Sequence, residues 1–165
     1  MIKLILVRHA KSSWNDLQLA DVDRPLNDRG KKNAPLMAEV LKSKKILPDI
    51  IYCSKAKRSR STAKRMANVL FKDEKAFEVI PEIYEAEIMT LLHIVNRFQD
   101  KYKTIMLIGH NPGLTEFLNY LTEAGIGNIP TTGVAEIHFP FQHWKEISRD
   151  TGNLVYFDYP KNYPS

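Results

Sequence analysis

Leu4-Ile5-Leu6-Val7-Arg8-His9-Ala10-Lys11-Ser12-Ser13-Trp14 runs apolar for the length of a strand and then breaks, at an arginine-histidine pair, into a polar loop. Thr104-Ile105-Met106-Leu107-Ile108-Gly109-His110-Asn111-Pro112-Gly113 repeats the pattern later in the chain, with a second histidine in its loop. Two parallel strands would bring His9 and His110 to one crevice at their carboxyl ends, where open α/β sheets hold their ligands. The run 104–108 shows no polar alternation, as expected of a central parallel strand covered on both faces.

Working outward from these runs, strands and helices alternate. Asn27 stands where it can cap a helix carrying Ala34, Met37, Ala38 and Leu41 on one face, with Pro35 expected to strain or kink its early turns. Ile50-Ile51-Tyr52-Cys53 reads as a second strand, with Ser54 at the cap position of a helix packed through Thr62, Met66, Val69 and Leu70. A short strand around 77–80, a helix over 87–98, a helix beginning just beyond Gly113, and strands over 134–139 and 154–159 follow. This order predicts a three-layer α/β/α sandwich with a mostly parallel central sheet. Residues 160–165 read as a loosely held tail.

The 165 residues, 44% of them apolar, fit one domain spanning 1–165 with a sizeable core. No apolar run approaches the ~20 residues that span a bilayer, and the first residues lack the tripartite pattern of a secretory signal. The expectation is a cytoplasmic protein with no membrane partner. Cys53 is the sole cysteine, which excludes an internal disulfide, and it reads as a small buried hydrophobe. The five histidines form no HExxH or other compact ligand set, so neither a metal nor another cofactor is expected. His93, His138 and His143 read as structural or exposed, and Trp14 and Trp144 as packing residues.

Charge is unevenly distributed. Residues 1–66 hold 16 Lys or Arg against 6 Asp or Glu, and the remainder hold 8 against 13. An anionic ligand is therefore expected near the first half. The basic residues 55–60 are not interleaved with aromatics and match no recognition-helix pattern, which argues against nucleic acid. A phosphoryl group fits better. Neutral imidazole attacks phosphorus near pH 7 while its other nitrogen donates a hydrogen bond that fixes the tautomer. The transition state gathers negative charge on the equatorial oxygens. Arg8, beside His9, and Arg58, in a second strand-to-helix region, offer forks of donors for them. One cation near 4 Å contributes of order 4 kcal/mol at an effective dielectric of ~20, before desolvation.

Arg8 to Trp14, Asp23-Arg24-Pro25-Leu26-Asn27-Asp28-Arg29-Gly30, the segment 54–63 with Arg58 and Thr62-Ala63, and residues 107–114 are four ordered blocks. Through them the chain resembles the histidine phosphatase superfamily, also called phosphoglycerate-mutase-like, and within it the short SixA-like phosphohistidine phosphatase branch. Ala10 departs from the wider Arg-His-Gly motif but matches that branch. The resemblance implies a phosphatase acting through a transient phosphohistidine, with His9 as nucleophile, Arg8 and Arg58 as phosphate clamps, and His110 as the second histidine on the phosphoryl oxygens. It also places Asn15 as a polar phosphate-pocket residue. Glu85 is favoured over Glu82, Glu87, Asp21 and Asp23 as the acid, although the SixA-like branch commonly lacks one. The implied partner is a phosphorylated protein, foremost one bearing phosphohistidine, or a small phosphorylated metabolite. A phosphoglycerate mutase and a non-enzymatic phospholigand-binding module are the alternatives.

Overall fold

The computed structural model describes residues 1–164. A six-stranded sheet forms the middle layer, with β1 (Ile2–Arg8), β2 (Ile50–Cys53), β3 (Glu78–Val79), β4 (Thr104–Gly109), β5 (Val134–Phe139) and β6 (Asn153–Asp158) in the order β3-β2-β4-β1-β5-β6. The first four strands pair in parallel, whereas β5 runs antiparallel to both its neighbours, β1 and the edge strand β6. β1 and β4 are neighbours, with Arg8 opposite Gly109, so the loops carrying His9 and His110 leave the sheet side by side.

The inner strands β1, β2 and β4 are mostly apolar and buried because helices cover both faces. Leu4 and Leu6 join Ile105, Leu107, Phe117 and Trp144 in one core cluster. Ile5 and Val7 point the other way and pack with Met37, Ile51, Met66, Met106 and Ile108. Helices α1 (Asp28–Ser43) and α2 (Lys57–Phe71) contribute their apolar stripes to the second cluster, and α3 (Ile88–Asn96) and α4 (Gly113–Thr122) to the first. The three layers and mostly parallel sheet are those expected from the sequence.

Three local expectations change. Ser54 does not cap α2: the helix starts two residues later than a Ser54 cap requires, with Ala56 at the N-cap, and the Ser54 hydroxyl, which accepts from Ala56 N at 3.3 Å, also meets His110 Nε2 at 2.6 Å. Trp14 is 67% exposed, with the Arg24 guanidinium 3.4 Å above its ring, so it packs against a charge and not into the core. Residues 160–163 are not loose, because buried Asp158 accepts hydrogen bonds from Tyr159 N, Asn162 Nδ2 and the hydroxyls of Tyr156 and Tyr163. Ser165 lies outside the described residues.

Asn27 does cap α1, its side-chain oxygen accepting from Gly30 N at 2.8 Å, and the helix is continuous through Pro35. The start of α1 is pressed against the loop that follows His9. Asn27 N donates to Lys11 O, and a Cβ on Gly30 would lie 2.2 Å from that same carbonyl oxygen. Backbone cannot yield as a flexible side chain can. Gly30→Ala is therefore expected to destabilise by about 1–3 kcal/mol, the range for overpacking, and to lower the melting temperature by several degrees. Gly127→Ala, which meets nothing within 4 Å, should leave it unchanged. Thermal unfolding of the two variants checks this.

Candidate active site

His9 is held from three sides. Its N–H donates to Gly109 O at the end of β4, its carbonyl accepts from Thr132 N, and Ala10 N donates to Thr62 Oγ1 on α2. Thr62 in turn donates to Arg58 O at 2.7 Å, which ties the loop after β1 to the helix turn that carries Arg58. The ring is 7% exposed. Its Nδ1 lies 2.7 Å from Ala10 O, and a carbonyl can only accept, so Nδ1 carries the proton. Nε2 is left with its lone pair, 3.4 Å from Arg58 Nε.

Burial, opposed only by the Ala10 contact and reinforced by His110, Arg58 and Arg8, lowers the His9 pKa from 6.5 to about 3. Burial followed by the Arg58 charge lowers that of His110 to about 4. Both rings are neutral at pH 7. Their centroids are 5.0 Å apart. Two serine hydroxyls hold His110 Nε2, Ser54 Oγ at 2.6 Å and Ser59 Oγ at 3.2 Å. Tyr84 meets the same ring edge-on at 5.5 Å.

Three arginines surround the pair. Arg8 donates one bond, from Nη1 to Ile129 O, and its Nε is buried without a partner. Arg58 donates through Nη1 and Nη2 to the carbonyl and carboxylate of Asp21. Arg24, 6% exposed, reaches Ser12 Oγ through Nη2 and lies 3.3 Å from Asp21 Oδ1, while its Nη1 is buried and unpartnered. Among the described residues Asp21 is the one carboxylate in contact with this cluster, and it also accepts from Tyr84 Oη at 2.5 Å. The Tyr84 bond and then the Arg58 bond keep its pKa below the ordinary value. Buried donors without acceptors, beside cations that outnumber their counter-charge, make a site that demands an anion.

The structure thus brings His9, Arg8, Arg58 and His110 to one cavity of about 1070 Å³. It does not bring Asn15 there. Asn15 stands exposed in the turn after Trp14, its N–H spent on Ser13 Oγ, because the chain has already turned outward from the cavity wall. Glu85 is exposed and lines an adjoining cleft with Asp21, Arg58 and His110, so it stands beside the site without entering its phosphate-sized centre. The sequence does not mark Arg24 as a site residue, nor Ser54 and Ser59 as partners of His110. The conjunction of Asp23-Arg24-Pro25 with the first histidine block was the available signal for Arg24; nothing in spacing distinguishes Ser54 from a helix cap. Among the described residues no group of three or more His, Cys, Asp or Glu is arranged to hold a metal ion, and no helix is long and apolar enough to cross a membrane.

Residues 4–106 match the family model of the histidine phosphatase superfamily (branch 1). The chain belongs to that superfamily. Among relatives, an uncharacterised chloroplastic protein of Arabidopsis thaliana is 37% identical over 152 residues, covering 87% of this chain and 69% of its own. A candidate phosphohistidine phosphatase SixA from Agrobacterium tumefaciens superposes with a TM-score of 0.80 at 28% identity, over 96% of this chain and 98% of that one. A protein histidine phosphatase SixA complexed with tungstate shares the fold, with a TM-score of 0.79 at 19% identity over 99% and 100% of the two chains. The chain is therefore an enzyme of the histidine phosphatase superfamily, with the α/β class that its sequence predicts, and its fold is similar to that of the SixA proteins.

The depressed histidine pKa values have a signed consequence for stability. The unfolded chain takes up protons near pH 6.5 that folded His9 and His110 refuse until about pH 3 and 4. Their contribution is complete above pH 6.5 and is lost as pH falls through the folded values. Denaturant unfolding between pH 7 and 4 should show a steep decline that His9→Gln makes shallower, and an NMR titration should find His9 still neutral at pH 5.

Proposed function

We propose that this histidine phosphatase removes the phosphoryl group from phosphohistidine on a protein, using His9 as the nucleophile. The observation that carries the chemistry is the His9 tautomer: Nδ1–H donates to Ala10 O, and the Nε2 lone pair faces Arg58 and His110. Nε2 attacks phosphorus, a P–N bond forms to the enzyme, and the P–N bond to the leaving imidazole breaks with its electron pair going to that nitrogen. When the other nitrogen of the substrate ring already carries a proton, the leaving group departs as neutral imidazole and no strong enzymatic acid is required. Water then attacks phosphorus, the bond to His9 breaks, and phosphate is released.

Arg8, Arg24 and Arg58 meet the charge that develops on the equatorial oxygens, and the first two bring buried donors that lack acceptors in the free protein. Preorganisation keeps the catalytic cost low, because Thr62, Asp21 and Ser12 already fix these side chains or their backbone. The exposed position of Glu85, on the side shared with Arg58 and His110, suits an accessory proton donor for substrates whose leaving group is an oxygen. The likeness to the Agrobacterium candidate SixA, together with a cleft open enough to admit a protein-borne side chain, supports phosphohistidine as the substrate.

The test is a kinetic panel of a phosphohistidine protein, phosphoserine, a sugar phosphate and 3-phosphoglycerate. The phosphohistidine protein is expected to have the highest kcat/KM, and a metabolite exceeding it tenfold, about 1.4 kcal/mol of transition-state stabilisation, overturns the substrate assignment. His9→Ala should abolish turnover while retaining tungstate binding; normal turnover by that variant removes the nucleophile assignment. In Glu85→Gln the ratio of P–N to P–O hydrolysis is expected to rise at least tenfold, because only the oxygen leaving group needs the donated proton.

A further inference from the structure

The cavity around His9 is larger and more cationic than one phosphoryl group requires. Among the described residues its charged lining consists of Arg8, Lys11, Arg24, Arg29, Arg58 and Lys161, with no carboxylate side chain. Arg8, Arg24 and Arg58 belong to the phosphate centre. The other three are exposed and stand on its outer wall. Arg29 comes from the first turn of α1, and Lys161 from the short 3-10 turn Pro160–Asn162 at the other end of the chain.

That second position is held deliberately. Asp158, 5% exposed, gathers Tyr159 N, Asn162 Nδ2 and the hydroxyls of Tyr156 and Tyr163, and so pins the turn on both sides of Lys161. Beyond Lys161 the surface does not close. A second groove of about 830 Å³ shares Arg29, Asn33, Pro160 and Lys161 with the first and adds Lys32, again with no carboxylate side chain among the described residues that line it. A cationic trough therefore runs from the phosphate centre, between α1 and the C-terminal turn, onto the protein surface. The cleft on the other side of Arg58 and His110 has the opposite character, lined by Asp21, Glu85, Glu87 and Glu116.

The geometry points to an acidic-segment subsite in this trough: Arg29 and Lys161, with Lys32 further out, bind carboxylates that flank the phosphorylated residue of a protein substrate. This deepens the phosphohistidine-protein reading and rests on it. A small phosphorylated molecule is satisfied within one cavity. Two connected grooves of one sign match an extended acidic chain, and the acidic cleft opposite would repel the same chain laid the other way.

The experiment uses two phosphohistidine peptides identical except for two flanking glutamates or two flanking glutamines, each as a competitor of p-nitrophenyl phosphate hydrolysis, alongside inorganic phosphate and pyrophosphate. With the native enzyme the glutamate peptide is expected to have an inhibition constant at least tenfold lower than the glutamine peptide at low salt. In Arg29→Ala/Lys161→Ala that preference should shrink below threefold while the constant for inorganic phosphate stays within twofold, and Arg29→Lys/Lys161→Arg should restore it. Equal inhibition by the two peptides, or a preference untouched by the double alanine variant, overturns the subsite. A tenfold advantage of pyrophosphate over phosphate that the double variant removes, without any glutamate preference, assigns the trough to a small molecule and also overturns it. Hydrolysis of the peptides themselves reads the phosphohistidine assignment, so failure of that assignment and failure of the subsite are seen separately.

Discussion

Three arginine side chains packed around one neutral imidazole, with a single carboxylate against them, set the terms for the rest of this structure. Burying guanidinium groups is costly unless their donors are satisfied. Asp21 answers Arg58 and Arg24, Ser12 and the carbonyl of Ile129 take further donors, and Arg8 Nε and Arg24 Nη1 are left without partners. The free protein is thus held short of electrostatic balance at the place where an anion completes it. Stability is given up locally so that affinity for charge developing in the transition state is already in place.

That concentration of charge also determines the chemistry of the histidines. Between cations and out of water, neither ring holds a second proton near neutral pH, which leaves His9 a neutral imidazole with a free lone pair instead of another cation. The Ala10 carbonyl then decides which nitrogen is free. Neutral His110 beside it is held by Ser54 and Ser59, whose hydroxyls can donate or accept as the ring demands. The sheet makes this possible by placing β1 next to β4 in register, so that the two histidine loops start from adjacent strand ends.

Electrostatics reaches beyond the reacting atoms. On one side the site opens into a lining of lysine and arginine, and on the other into one dominated by carboxylates. Such a gradient across a cleft orients a charged substrate before contact and raises productive encounters. The C-terminal turn contributes to the cationic side only because Asp158 holds it there, which makes the end of the chain part of the cleft wall.

The sequence by itself determined the layers and the meeting of the two histidines. Uninterrupted apolar runs such as 104–108 can be stable only with helices on both faces, and a histidine directly after such a run has nowhere to go but the crevice at the strand ends. Asn27 as a cap was legible for the same reason: its partner, Gly30 N, is three residues away. What only the tertiary structure decided involves partners distant in sequence. Ser54 reads as a cap until His110, on another strand, claims its hydroxyl. Arg24 reads as a loop charge until Asp21, Ser12 and Trp14 fold around it. Asn15 sits close to His9 in sequence but turns away in space, and the apparent tail is bound by a buried aspartate. Local pattern reports which backbone groups and faces must be satisfied nearby; the satisfaction of a buried charge depends on whatever the fold brings within hydrogen-bonding distance, and that is fixed only when the layers close.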